Sequence, residues 1–121
     1  MSKIEKFKDL IAWQKSRIIS KNIYSVTNSE NFKKDFCLKN QIRRASISVM
    51  LNLAEGFAKQ SNREFIKYLF QSHGSLVEIQ SALYISLDRK YITKDDFEEL
   101  YAKCNETSRI ISGLIKYLKN S

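Results

Sequence analysis

The sequence predicts an all-α fold, an antiparallel up-down-up-down four-helix bundle, and three observations support this prediction. The chain of 121 residues has no proline and only three glycines, so few residues interrupt helices. Apolar residues recur at three- and four-residue intervals through four segments. The connections between these segments are short, as expected for antiparallel neighbours. We expect one domain over residues 1–121, with helices near 9–27, 35–59, 62–90 and 94–119.

The first helix is predicted to begin at Asp9 as its N-cap. Its core stripe comprises Ala12, Ser16, Ile19, Ile23 and Val26. The connection that follows is polar, and we expect Phe32 to fold back onto the end of the bundle.

The second helix carries two apolar rows. One row consists of Ile42, Ala45, Val49, Asn52 and Gly56. The other consists of Ile47, Met50, Leu51, Ala54 and Phe57. A helix with one side in water does not need both rows, so we expect this helix to lie between neighbours. The second and third helices each carry two apolar rows, more than one small bundle needs, so we expect the chain to form a homo-oligomer.

The last two helices have polar residues at their starts that suit capping. Ser61 and Glu64 have the spacing of a capping box, and Thr93 is the expected N-cap of the fourth helix. Gly74 lies inside the third helix, where glycine costs about 1 kcal/mol relative to alanine. We therefore expect a neighbouring backbone to approach Gly74 closely.

The segment from Arg43 to Phe57 reads Arg-Arg-Ala-Ser-Ile-Ser-Val-Met-Leu-Asn-Leu-Ala-Glu-Gly-Phe. It resembles the signature of the bacterial four-helix bundle proteins known as the S23 or 23S rRNA intervening sequence family. The resemblance continues through residues 7–15, 61–65, 73–78 and 113–115. It implies a four-helix bundle that assembles as a ring-like homopentamer.

That family also looks similar to the accessory variability protein of diversity-generating retroelements, a basic pentameric bundle that works with a reverse transcriptase and nucleic acid. The resemblance therefore implies RNA or DNA, and a protein such as a reverse transcriptase, as candidate partners.

Positive charge is concentrated in the first half of the chain. The net charge is +8, and residues 1–60 hold 12 Lys or Arg against 5 acidic residues, whereas residues 61–121 hold 9 against 8. Such an asymmetry favours a surface that faces a polyanion. The candidate nucleic-acid-binding residues are Lys15, Arg17, Lys21, Lys33, Lys34, Lys39, Arg43 and Arg44.

The aromatic residues near these basic residues indicate which kind of nucleic acid to expect. Exposed aromatic residues interleaved with them are not evident in the sequence, which argues against base stacking on a single strand. We therefore expect structured RNA or a duplex, bound mainly through its phosphates.

Two alternatives remain open at this stage. The charge is incidental if the chain is a protein interaction scaffold or a retroelement accessory protein. Separately, Asn52, Glu55 and Glu78 form a structural polar motif in which the two carboxylates pair with Arg43 or Arg44 across helices.

Catalysis, metal and cofactor binding find little support in the sequence. His73 is the single histidine, and no carboxylate or nucleophile is spaced to complete a catalytic site with it, so we expect a core or interface histidine. Cys37 and Cys104 fit neither a zinc nor a redox spacing, and Cys104 is expected to be a buried, inert thiol.

Localisation follows from two further features. No run of apolar residues is long enough to span a membrane. The first residues lack the apolar segment of a signal peptide, which favours the cytoplasm.

Overall fold

The computed structural model describes residues 4–121, and four long helices account for most of them. Two short 3-10 turns precede the first and the second helix, at Phe7–Asp9 and Phe32–Lys34. The helices are α1 (Ile11–Val26), α2 (Phe36–Ala58), α3 (Asn62–Asp88) and α4 (Lys94–Lys119). Residues 4–121 contain no β-strand, and the predicted all-α fold is confirmed.

Successive helices run in opposite directions, because contacts pair late residues of one helix with early residues of the next. These contacts are Thr27–Arg43 and Ser20–Ser46 between α1 and α2, Val49–Ser72 and Ser48–Ser75 between α2 and α3, and Tyr84–Phe97 and Gln80–Asn105 between α3 and α4. The fourth helix returns to the first, where Lys15 pairs with Glu106 at 3.3 Å. The four helices therefore form an up-down-up-down bundle.

The core follows most of the predicted stripes. Its largest fully buried side chains include Ile19, Ile23, Phe32, Ile42, Leu53, Leu69, Leu76, Leu83 and Ile111. Burying each such side chain contributes about 1.5–3 kcal/mol. The expected anchoring of Phe32 is confirmed, because its side chain is 0% exposed and lies against the ring of Tyr91. The predicted core row of α2 included Asn52, but Asn52 is only partly buried and its neighbour Leu53 is fully buried in the core.

Three of the four helices begin at a side-chain cap. The Asp35 carboxylate accepts a hydrogen bond from the Leu38 N–H at 3.1 Å, and Thr93 Oγ1 accepts one from the Asp96 N–H at 3.0 Å. Ser61 Oγ accepts from the Glu64 N–H at 3.3 Å, as predicted. In a full capping box the Glu64 carboxylate would also accept a hydrogen bond from the Ser61 N–H. Here it pairs with Lys67 at 3.1 Å instead.

The start of α1 differs from the prediction. Asp9 belongs to the 3-10 turn, and the N-cap position is taken by Leu10, whose side chain makes no capping hydrogen bond. Leu10 is buried, and the ring of Phe7 packs edge-on against Trp13 at 5.2 Å. Apolar packing therefore determines where α1 begins, at the expense of a polar cap.

The prediction for Gly74 is wrong within the chain, because no atom lies within 4 Å of the position that a Cβ on this residue would occupy. Close approach occurs instead at Gly56, where a Cβ would lie 2.5 Å from the Cβ of Tyr68. Gly56 therefore permits the tight packing of α2 against α3.

Candidate nucleic-acid interface

The structure divides the eight basic candidates into two groups. Lys15 pairs with Glu106 on α4, and Lys33 pairs with Glu30, each at 3.3 Å. The remaining six make no ion pair with any residue in the range 4–121, and they are Arg17, Lys21, Lys34, Lys39, Arg43 and Arg44. No carboxylate within residues 4–121 pairs with these six cations, so an external anion can.

On α1, Arg17 and Lys21 lie one turn apart, on the side of the helix that also carries Tyr24. Both side chains are exposed. The Arg17 guanidinium lies 5.8 Å from the centre of the Trp13 ring, which gives it a defined position on the surface. Because residues four apart share a helix face, the two charges can reach neighbouring phosphates together.

On α2, Arg43 is held by Tyr24 of α1 and by Thr27, the residue that follows α1. Its Nε donates a hydrogen bond to Thr27 Oγ1 at 2.8 Å, and its guanidinium lies 4.5 Å from the centre of the Tyr24 ring. Thr27 is fully buried, and its hydroxyl donates to the Ile23 carbonyl oxygen at 2.7 Å. A buried threonine thus orients a half-buried arginine toward the solvent-facing edge of the bundle.

Arg44 belongs to a wide, open groove of about 620 Å³ along the outer side of α2. The groove is lined by Tyr24, Asn40, Arg43, Arg44, Ile47, Ser48, Leu51, Asn52 and Glu55. The signature segment therefore has two roles. Ala45, Val49 and Gly56 are buried in the core, while the charged and amide residues of the segment line the groove together with the apolar Ile47 and Leu51.

We call Arg17, Lys21, Lys39, Arg43 and Arg44 the basic face. It extends over the adjoining sides of α1 and α2. Lys34 lies in the connection between these helices, in the second 3-10 turn. Lys15 and Lys33 are set apart from the basic face by their ion pairs.

The predicted pairing of Arg43 and Arg44 with Glu55 and Glu78 is wrong within the chain. Neither arginine makes an ion pair across the described range, residues 4–121. The Glu55 carboxylate instead accepts a hydrogen bond from the Tyr68 hydroxyl at 3.4 Å, and Glu78 is exposed on α3. Asn52, the third residue of the expected polar motif, hydrogen-bonds within α2.

Asn52 takes part in a polar link between α2 and α3. Its Nδ2 donates to the Ser48 carbonyl oxygen at 2.9 Å and to Ser48 Oγ at 3.0 Å. Ser75 Oγ on α3 donates in turn to Ser48 Oγ at 2.9 Å. These hydrogen bonds satisfy polar groups that the packing of the two helices partly buries.

Aromatic rings do accompany the basic residues, which the sequence did not make evident. Tyr24 is 40% exposed beside Arg43, and Phe36 is 68% exposed beside Lys39, whose Nζ lies 4.8 Å from the ring centre. The available signal was local, since Tyr24 follows Lys21 by three residues and Phe36 precedes Lys39 by three. Such spacing places Phe36 on one face of α2 with Lys39, and Tyr24 on one face of α1 with Lys21, whereas the contact of Tyr24 with Arg43 joins two helices.

The other titratable candidates contribute little to a reactive site. His73 is half-buried on α3, and residues 4–121 contain no group of three His, Cys, Asp or Glu residues that could hold a metal ion. Burial raises the pKa of the Cys104 thiol to about 12, whereas Cys37 is exposed. As predicted, Cys104 is buried, and its thiol is protonated at neutral pH.

No helix within residues 4–121 is long and apolar enough to cross a membrane.

The fold and the basic face define a class of protein, a small basic four-helix bundle. The sequence matches the family model of the 23S rRNA-intervening sequence proteins over residues 8–113, and the chain belongs to that family. No curated protein is significantly similar to it in sequence.

Among solved structures, the chain is similar to a protein with unknown function from the S23 ribosomal protein family of Bacteroides thetaiotaomicron. The two chains superpose with a TM-score of 0.81 at 25% sequence identity. The match covers 90% of this chain and 98% of the other. The two therefore share their fold over nearly their whole length.

Proposed function

We propose that this protein is a non-enzymatic, oligomeric helical bundle that binds structured RNA or DNA through its basic face. The observation that carries the proposal is the clustering, on the adjoining sides of α1 and α2, of five cations that make no ion pair within residues 4–121. Cations without carboxylate partners attract phosphates by charge, and arginine can contact a phosphate through two hydrogen bonds.

Assembly of several copies would strengthen such contacts. On the single chain, two residues of the second apolar row of α2 remain at the surface, Ile47 at 38% and Leu51 at 62% exposed. Contact between copies would remove these side chains from water. The family resemblance implies five copies. A ring of five would present to one nucleic acid five sets of the α1 cations Arg17 and Lys21, which do not line the groove that contains Ile47 and Leu51, and would multiply weak contacts.

We also propose that the protein acts in the cytoplasm. Both cysteines are free thiols, one of them exposed, and such thiols are typical of a reducing compartment.

A charge-reversal experiment tests the binding proposal. Arg17→Glu combined with Lys21→Glu changes two exposed residues of α1, and fluorescence anisotropy would follow binding to a structured rRNA fragment, a duplex DNA and a single strand. We expect the variant to lose most of its affinity at physiological salt. Arg109→Glu combined with Lys116→Glu changes the net charge equally on α4 and should bind like the unaltered protein.

Equal losses in the two double variants would contradict the proposal, because they would reduce the effect to net charge. Thermal unfolding of both variants verifies that the bundle is intact. Both sites are exposed, so little change is expected.

A second candidate function is that of a scaffold for a protein partner, such as the reverse transcriptase of a retroelement. The exposed apolar residues of α3 favour it, since Phe70, Val77 and Tyr84 are each about half exposed on the single chain. Docking through these side chains would depend little on salt, whereas phosphate binding weakens steeply as salt rises. Salt dependence therefore discriminates between the two functions.

A further inference from the structure

Three cation–aromatic pairs follow one another along the edge where α1 meets α2. Arg17 lies over Trp13 at 5.8 Å, Arg43 over Tyr24 at 4.5 Å, and Lys39 over Phe36 at 4.8 Å, each measured to the ring centre. The two rings nearest the connection between the helices remain accessible, Tyr24 at 40% and Phe36 at 68%.

The positions of these rings relative to one another follow from helix geometry. Phe36 and Arg43 are seven residues apart on α2, close to two turns, so they share one side of the helix at a spacing of about 10 Å. Arg43 lies against Tyr24, so the Tyr24 ring continues the same line on α1. Lys21 and Arg17 then extend this line along α1.

We propose that this edge binds unpaired nucleotides of the nucleic acid, with Tyr24 and Phe36 stacking against bases and the neighbouring cations contacting phosphates. Bases of any identity have an aromatic face, so stacking on exposed rings between positive charges is the usual way to hold a single strand without reading its sequence. A continuous duplex buries its base faces and cannot use these rings. The preferred ligand is therefore a nucleic acid with a loop, bulge or single-stranded extension.

This inference rests on the proposed function and adds the class of nucleic acid to it. Arg43 is oriented for such a role, because Thr27 holds its Nε at 2.8 Å and its guanidinium plane can stack as well as bind phosphate. Lys39 is similarly placed, half-buried beside an exposed ring.

The test compares two ligands and three proteins by fluorescence anisotropy at physiological salt. The ligands are a blunt RNA duplex and the same duplex with a single-stranded extension containing 2-aminopurine. The proteins are the unaltered chain, the Tyr24→Leu plus Phe36→Leu variant, and Phe70→Leu. Phe70 is a matched control, since it is 53% exposed on α3 with Lys119 at 5.5 Å from its ring centre.

We expect the unaltered chain and Phe70→Leu to bind the extended duplex more tightly than the blunt one and to quench 2-aminopurine fluorescence. The double variant should lose about 5- to 150-fold in affinity for the extension per stacked base, and lose the quenching, while it binds the blunt duplex normally.

Three results would overturn the inference. If the double variant retains the preference and the quenching, stacking on these rings is wrong while the charge-based function stands. If the unaltered chain binds neither ligand at physiological salt, the proposed function fails and the inference with it. If light scattering shows that the double variant loses its assembly, the two rings are contacts between copies.

Discussion

Gly56 controls how closely α2 and α3 approach one another. A Cβ at this position would lie 2.5 Å from the Cβ of Tyr68 and 3.0 Å from Cδ1 of Phe65. The Cβ of Tyr68 is fixed by the α3 backbone, so rotation of its side chain cannot relieve the overlap. Any larger residue at position 56 must push the helices apart.

We therefore expect Gly56→Ala to destabilise the protein by about 1–3 kcal/mol, as overpacking does in other cores. Gly113→Ala is the matched control, because no atom lies within 4 Å of its added Cβ and alanine favours a helix by about 1 kcal/mol. Urea unfolding of both variants gives the comparison. A Gly56→Ala protein as stable as the unaltered one would contradict the packing described at this site.

The two cysteines should differ sharply in reactivity. Burial raises the pKa of the Cys104 thiol to about 12, so its nucleophilic thiolate is scarce at neutral pH, and the side chain is shielded from reagents as well. A thiol reagent should label Cys37 in the folded protein and both cysteines after denaturation. Labelling of folded Cys37→Ser at a rate comparable to denatured protein would show that Cys104 is accessible.

The three glycines that lie inside helices differ in what surrounds them, and the sequence did not predict which of them is closely packed. Gly56 falls on the predicted core row of α2, but its close approach to α3 was not predicted. Gly74 follows the exposed Phe70 by four residues and precedes the exposed Val77 by three, so it lies on the outer side of α3. Helix propensity alone suggested Gly74, and it failed because an exposed glycine needs no compensating contact. Packing position is the better guide to a glycine's role in a helix.

At the scale of helices and connections, Asp35 and Tyr91 join the start of α2 to the connection between α3 and α4. The Leu38 N–H, the Tyr91 hydroxyl at 3.0 Å and the nearby Arg89 lower the pKa of the Asp35 carboxyl. The same hydrogen bond to Asp35 raises the pKa of Tyr91. Folding therefore favours a charged Asp35 beside a protonated Tyr91.

The signs of these shifts predict how stability depends on pH. A lowered pKa means that the contribution of Asp35 is present above its usual value near 4 and is lost as the pH falls through the folded pKa. Asp35→Asn should therefore be less stable than the unaltered chain at neutral pH, and the difference should narrow in acid. Thermal unfolding from neutral pH down to about pH 3 measures it. A difference that does not change with pH would contradict the assignment.

The raised pKa of Tyr91 predicts how stability changes at high pH. Its raised pKa means that its contribution is present below about pH 10 and is lost as the pH rises through the folded pKa. Tyr91→Phe should be less stable at neutral pH and should lose less stability than the unaltered chain at high pH. Chemical unfolding from neutral to high pH measures the free energy of unfolding of both proteins. An equal loss of stability in the two proteins at high pH would contradict a contribution from the hydrogen bond between Tyr91 and Asp35.

Helix boundaries were predictable where a polar side chain sets them. Ser61 and Thr93 cap α3 and α4 as the sequence predicted, because an acceptor side chain at a helix start has few other local partners. Asp9 failed as a cap because burial of Leu10 and the contact between Phe7 and Trp13 set the entry into α1. The contact between Phe7 and Trp13 is local, whereas the burial of Leu10 exists only once the bundle has formed.

At the scale of the whole molecule, assembly should depend on the outer side of α2. Leu51 is 62% exposed on the single chain, so Leu51→Asp should leave folding intact while it separates the copies. Tyr117→Asp changes a similarly exposed apolar residue on α4 and should not alter assembly. Light scattering coupled to size-exclusion chromatography distinguishes them, and an unchanged mass for Leu51→Asp would remove this surface from the proposed interface.

The sequence predicted which basic residues are candidates for binding, but it did not predict the contacts that position them. Composition and charge asymmetry identified the residues, and helix spacing correctly grouped Arg17 with Lys21. The sequence could not show that Lys15 turns toward Glu106 on α4, or that Thr27 and Tyr24 hold Arg43. These relations join residues from different helices, and they exist only once the bundle has formed.

The most direct test of the central claim is the salt dependence of binding to a structured RNA, measured by fluorescence anisotropy. If the basic face contacts phosphates, the logarithm of the association constant should fall linearly with the logarithm of salt concentration, with a slope of about −0.9 per contact on a duplex. Arg17→Glu plus Lys21→Glu should reduce that slope by about 2. A slope that is flat, or equal in the two proteins, would contradict binding through this face.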